Sequence, residues 1–267
     1  MKALPIDKEF TGQYVRDLHN FFKKILTNSR SIKFSESSCN NALSQLCNEL
    51  DTAVRTLNRA KEVNQTFSLS PNLLLDIEDH KLKRNDNFNL MLSIGGWVEI
   101  KEGVLNRQSF CIAVLCEIID NLCQEDAEQF RCHPFTTGTH VIRKFHFDID
   151  RTIPEDKCWP RSHLQYGGNF TPEHFAVNEE LNYQLFEPLD LPRIPAMPYS
   201  LILCMDLALR AFVTSGTNIT KEKYWKAMIK ENESRWIKPF LLQALEFLDS
   251  KSPNETLWDF FSSPITQ

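Results

Sequence analysis

The run Phe145-His146-Phe147-Asp148-Ile149-Asp150 alternates polar and apolar side chains, and Ser162-His163 follows after eleven intervening residues. Side chains alternate along an extended strand, so His146, Asp148 and Asp150 would share one face, about 6–7 Å apart in pairs. Two carboxylates at that spacing can share a hard cation such as Mg²⁺ or Mn²⁺, with water completing the shell. A histidine from the next strand could hold a phosphate or shuttle a proton. Such chemistry suits phosphodiester hydrolysis or nucleotidyl transfer. The candidate catalytic group is therefore His146, Asp148, Asp150 and His163, with Asp148 and Asp150 as candidate metal ligands. The group acts together only if His163 comes within about 4 Å of Asp148. The competing expectation is plainer. Asp148 and Asp150 would be solvated on the open face of an antiparallel sheet. His146 would be a cross-strand partner, and His163 a core histidine that fixes the segment after it.

The surrounding elements must place these residues. Residues 8–28 repeat apolar groups at helical spacing (Phe10, Tyr14, Leu18, Phe21, Phe22, Ile25), and residues 40–63 do the same with Leu43, Leu46, Leu50, Val54 and Leu57. The two predict a helical hairpin. Phe88–Ser93 alternates as a strand, and Gly95-Gly96 predicts a turn into Trp97–Ile100. Asn106 is a candidate cap for a helix running to about Gln129, with Ile112, Leu115, Ile119 and Leu122 on one face. The β-branched content of residues 110–119 leaves a strand as the alternative. Val141–Asp150 is the clearest strand. The proline-rich stretch 151–198 is too long for a plain connection and is expected to contain strands near His163–Tyr166 and Leu191–Ile194. Helices are expected over Tyr199–Val213, from Thr220 to about Asn232, and over Trp236–Leu248. The expected fold is α+β: a helical N-terminal hairpin, a small, mostly antiparallel sheet in the middle and a helical C-terminal part. One compact unit, 1–267, would divide into helical 1–85, sheet-bearing 86–198 and helical 199–267.

Several chemistries are disfavoured. The chain has only eight glycines, and none form the G-x-G-x-x-G or G-x-x-x-x-G-K-[ST] cradles that nucleotide phosphates need. Neither a G-x-S-x-G elbow nor an H-E-x-x-H helix occurs. Eight cysteines are spread without a C-x-x-C pair, which predicts reduced, mostly buried thiols. A zinc site from Cys123, Cys132, His133 and Cys158 is the alternative. The net charge of −5, from 30 basic and 35 acidic residues, gives no general pull toward nucleic acid. Local basic faces remain at Lys223, Lys226 and Lys230, and at Lys23, Lys24, Arg30 and Lys33. No apolar run approaches the ~20 residues that span a bilayer, and Met1–Phe10 lacks the apolar core of a secretory signal. The expectation is a cytoplasmic protein with no membrane association.

Two partial resemblances concern the polar group. The alternating acids and the following histidine are similar to the h-h-D-h-D and S-x-H motifs of archaeo-eukaryotic primases. Here, however, Ser162 and His163 are adjacent and a third carboxylate is not evident. Glu155-Asp156-Lys157 supplies the E-x-K of PD-(D/E)xK nucleases, in a proline-flanked loop rather than a strand. A broader resemblance runs through Phe145–Asp150, then Ser162-His163-Leu164-Gln165-Tyr166-Gly167, then Arg193-Ile194-Pro195, then the apolar helix ending Leu209-Arg210-Ala211-Phe212. It resembles a family of uncharacterised bacterial proteins that share an F-x-x-D-x-D…S-H-L-x-x-G…R-I-P pattern. Their context is mobile elements and phage-defence neighbourhoods. This chain departs from them by an insertion at about 169–190. The resemblance implies an accessory or adaptor subunit of a prokaryotic multi-protein defence or toxin–antitoxin assembly, with protein partners encoded nearby. Nucleic acid would be reached through a partner or a local basic face. The alternative is a metal-dependent phosphodiesterase or nuclease centred on His146, Asp148, Asp150 and His163, which would call for Mg²⁺ or Mn²⁺; apart from that reading no cofactor is expected. A third reading is an antitoxin or immunity protein whose acidic surface blocks a basic partner.

Overall fold

The computed structural model describes residues 6–28, 32–57, 63–78, 88–119, 137–153, 160–166, 193–212, 214 and 216–262. Helix α1 spans Lys8–Thr27, and the Asp7 carboxylate caps it by accepting from the Phe10 amide at 2.7 Å. Its stripe of Tyr14, Leu18, Phe21, Phe22 and Ile25 is buried, as helical spacing dictates. Helix α2 (Ser38–Leu57) buries Cys39, Leu43, Leu46, Cys47 and Leu50. It packs against α1 and against the first strand of the sheet.

Six strands follow, paired in sequence order and all antiparallel: β1 Gln65–Asp76, β2 Phe88–Lys101, β3 Val104–Ile118, β4 Gly138–Asp150, β5 Ser162–Tyr166 and β6 Arg193–Pro195. The α+β class is as expected, but three details correct the sequence reading. The sheet begins at Gln65, inside the stretch assigned as helical. Gly95 and Gly96 make no turn; β2 runs straight through them, and the chain reverses at Glu102-Gly103, where both residues have positive φ. Gly95 is required because a Cβ there would land on the Asn72 amide, and a Cβ on Gly96 would meet the Ser109 carbonyl oxygen at 2.7 Å. Finally, the helix expected from Asn106 is strand β3. Its core-face and opposite-face residues are both apolar over Ile112–Leu115, so helical and extended patterns overlap there. The zinc candidates Cys123, Cys132, His133 and Cys158, the Glu155–Lys157 triplet and the 169–190 insertion lie outside the described residues.

Residues paired across antiparallel strands share a face. One face carries Phe67, Leu69, Leu73, Ile94, Phe110, Ile112 and Phe147, and it receives α1 and helix α3 (Leu201–Ala211). The Tyr14 hydroxyl donates to the Gln108 side chain at 2.8 Å and accepts from the Leu201 amide at 3.1 Å, so one buried side chain joins α1, β3 and α3. Ser200 caps α3. A 3₁₀ turn at Thr217–Lys221 leads to helix α4 (Lys223–Asn232), a π turn (Glu233–Ile237), helix α5 (Lys238–Ser250) and a short helix α6 (Leu257–Ser262). Trp225 and Trp236 are fully buried core residues. The indole N–H of Trp225 donates to Asp206 at 2.6 Å, and Trp236 packs edge-on to Phe10 and Tyr14. Among the described residues no helix is long and apolar enough to cross a membrane.

A candidate polar site on the second face of the sheet

The opposite face of β3–β5 is polar. Asp148 stands between Ser109 and His163 in cross-strand register, His146 between Cys111 and Gln165, and Asp150 beside Arg107. Lys144 lies two residues before His146 on the same face and is buried. Alternation along β4 therefore works as the sequence implies. Three of the four candidate side chains converge. His163 Nε2 lies 3.3 Å from Asp148 Oδ2, and His146 Nδ1 lies 3.9 Å from the same oxygen. His163 is only 2% exposed, and its Nδ1 faces the Pro160 carbonyl at 3.2 Å. Both ring nitrogens thus look at oxygen acceptors.

Asp150 does not join the group. Its carboxylate lies 3.5 Å from Arg107 Nε and accepts from the Thr152 amide at 2.8 Å and hydroxyl at 2.6 Å. It closes the end of β4 in an Asx-type turn. Among the described residues no group of three or more His, Cys, Asp and Glu is placed to hold a metal ion. The pair Asp148 and Asp150 fits a shared Mg²⁺ or Mn²⁺ poorly, because one of its carboxylates is already engaged.

Burial by itself would raise the Asp148 carboxyl. The His163 hydrogen bond, the His146 charge and the Ser109 hydroxyl outweigh burial and hold it below the usual carboxylate value. Burial lowers His146, and the positive charges of Lys144, His163 and Arg193 lower it further against the opposing pull of Asp148. Burial also pushes the Cys111 thiol up to about 11, with Lys144 opposing, and lowers Lys144 itself. Near neutral pH the cluster therefore presents a carboxylate, a neutral imidazole and a protonated thiol. His146 Nε2 and Asp148 Oδ1 are buried without a hydrogen-bond partner among the described residues. A neutral imidazole with an open nitrogen beside a fixed carboxylate can accept a proton or hold a polar ligand.

Ser109, Cys111, Gln165 and Arg193 were absent from the sequence reading of this site. The signal for the first two was present. Arg107, Ser109 and Cys111 alternate as a strand does, but a helical assignment scatters them around an axis. Comparison with protein-family models, with curated proteins and with solved structures found no match to this chain.

Proposed function

We propose that this chain is an accessory or adaptor subunit of a multi-protein assembly, and that it meets its partners through the C-terminal helices. The observation that carries this reading is a set of leucines held out in solvent. Leu241, Leu242, Leu245 and Leu248 of α5 are all exposed, as is Leu207 of α3. Single exposed apolar residues need no explanation, but several contiguous ones on one surface mark a contact site. Leu207, Leu241 and Leu242 also border a cleft of about 590 Å³ that continues inward to Met197, Leu203 and Ile229. The bacterial defence or toxin–antitoxin setting is supported by the sequence resemblance alone. The exposed Lys223, Lys226 and Lys230 of α4 offer a modest basic edge for nucleic acid held by a partner. The test is co-expression with the genes on either side, followed by isolation through a tag on this chain. Stoichiometric recovery of a neighbour-encoded protein is expected. A chain that emerges alone and unassociated overturns the reading.

A second reading is favoured by one contact, the 3.3 Å approach of His163 to Asp148 beside the open nitrogen of His146. It is a phosphodiesterase in which His146 accepts the proton of the attacking water, and Asp148 orients the two imidazoles. A metal-dependent form additionally requires Asp150 to leave Arg107 and Thr152. The purified protein should then cleave nucleic acid with Mg²⁺ or Mn²⁺, and Asp148→Ala should abolish cleavage. Cleavage that survives the substitution removes this reading.

A further inference from the structure

Helix α5 is anchored on one side and self-complementary on the other. Phe240 and Phe247 face inward, and both stack against Phe260 of α6 at 5.3 and 5.5 Å. The π turn just before α5 carries Trp236 into the core, and Arg235 there pairs with Asp17 of α1. The helix is thus fixed at its start and along its inner face. At 100° per residue, Leu248, Leu241, Leu245, Lys238, Asp249 and Leu242 all fall in an arc of about 120° on the side away from Phe240 and Phe247. Leu242 and Leu245, 57% and 58% exposed, lie near the midpoint of the helix along its axis, Leu245 at the centre of this arc and Leu242 at its edge. Lys238 and Asp249 stand near the two ends of the helix, about 16 Å apart along the axis. Both are exposed, and neither forms an ion pair among the described residues.

Four residues of this face are symmetric about the point between residues 243 and 244, Leu242 with Leu245 and Lys238 with Asp249. Laying a second α5 across it in the opposite direction brings Leu242 against Leu245 of the copy, and Lys238 against Asp249 of the copy at both ends. A parallel pairing would instead place like charges together. A twofold contact uses one patch on both subunits, so a patch with opposite charges at its two ends suits it. We infer that the outer face of α5 takes the same face of a second copy of this chain, antiparallel, in a twofold dimer. The inference rests on the reading of this surface as an interface and specifies its occupant. One short helix face with Leu207 beside it lies at the small end of stable contacts, so the dimer is expected to be concentration-dependent.

The experiment is sedimentation velocity on the full chain over a wide concentration range, with four variants. The wild type should shift from monomer toward dimer as concentration rises. Leu245→Glu should leave only monomer, with its circular dichroism and melting unchanged. Lys238→Asp and Asp249→Lys should each weaken association, on the order of tenfold, because both end pairs become repulsive. Lys238→Asp/Asp249→Lys together should restore it. A wild type that stays monomeric throughout overturns the dimer, as does a dimer indifferent to Leu245→Glu or a double variant no better than the single ones. Recovery of the neighbour-encoded protein on a tagged chain, measured in parallel, separates the two claims. Its retention with a monomeric wild type leaves the assembly reading standing while the dimer falls.

Discussion

The polar cluster on β3–β5 and the leucine face of α5 are opposite departures from ordinary folding. In the first, Lys144, His146, Asp148 and His163 are withdrawn from water; in the second, Leu241, Leu242, Leu245 and Leu248 are left in it. Buried polar groups and exposed apolar patches are the informative exceptions to the rule that hydrophobic residues lie inside. The two differ in what closes them. The cluster is largely closed within the chain, since His163 is held by Asp148 and Pro160, and Asp150 by Arg107 and Thr152. His146 Nε2 and Asp148 Oδ1 are among the atoms there that remain without a hydrogen-bond partner among the described residues. The described chain leaves the α5 leucines 41–58% exposed. A buried network can serve stability and function together, whereas the exposed part of a leucine face adds little to the isolated fold.

That contrast yields a ranked set of expectations. Asp148→Ala should be the most costly to the fold, at about 2 kcal/mol by denaturant unfolding, because it leaves the buried His163 nitrogen without its acceptor. A loss below a few tenths would mean that the cluster is not a structural network, and the contrast with α5 would weaken. A smaller effect concerns pH. The folded state holds His146 below its ordinary value of 6.5. Below that value the unfolded chain binds a proton that the folded chain does not. Stability should therefore fall as pH drops through the region just under 6.5, levelling once His146 protonates in the folded state. His146→Gln should flatten this dependence. Asp148, whose carboxyl is held low, adds stability that is present above its unfolded value of 3.8 and lost as pH falls below it. The smallest effect belongs to the helix face. Leu245→Glu should change unfolding stability by less than about 0.5 kcal/mol, as surface substitutions do. A large loss would show that this leucine packs within the chain after all.

Much of this arrangement was legible in the sequence, for identifiable reasons. Helices α1 and α2 announce themselves because only one face of each is apolar, so the 3.6-residue period is clean. Strand β4 does so through polar alternation, and that alternation correctly places His146 and Asp148 together. The failures share a cause. Gly95 and Gly96 read as a turn, yet they are glycine because Asn72 and the Ser109 carbonyl of neighbouring strands press against them. Strand β3 is apolar on both faces at its centre, which erases the period-two signal. Strand β1 is irregular between Leu69 and Leu73, and this breaks its pattern. In each case the deciding contact lies across the sheet and far along the chain. Spacing groups Asp150 with Asp148, and it is Arg107 on β3 and Thr152 just beyond β4 that engage its carboxylate. The amphipathic period of α5 was visible, but which of its apolar positions remain in water depends on where α6 packs.

The central claim is that the α5 leucines are covered by protein when the chain is in its assembled state. Hydroxyl-radical footprinting of Leu241, Leu242 and Leu245 tests it most directly, comparing dilute isolated chain with the complex recovered alongside its neighbour-encoded proteins. The account predicts that these leucines are oxidised readily in the first sample and strongly protected in the second, while the solvent-facing side of α2 reacts equally in both. Equal oxidation of the three leucines in the two samples would contradict it.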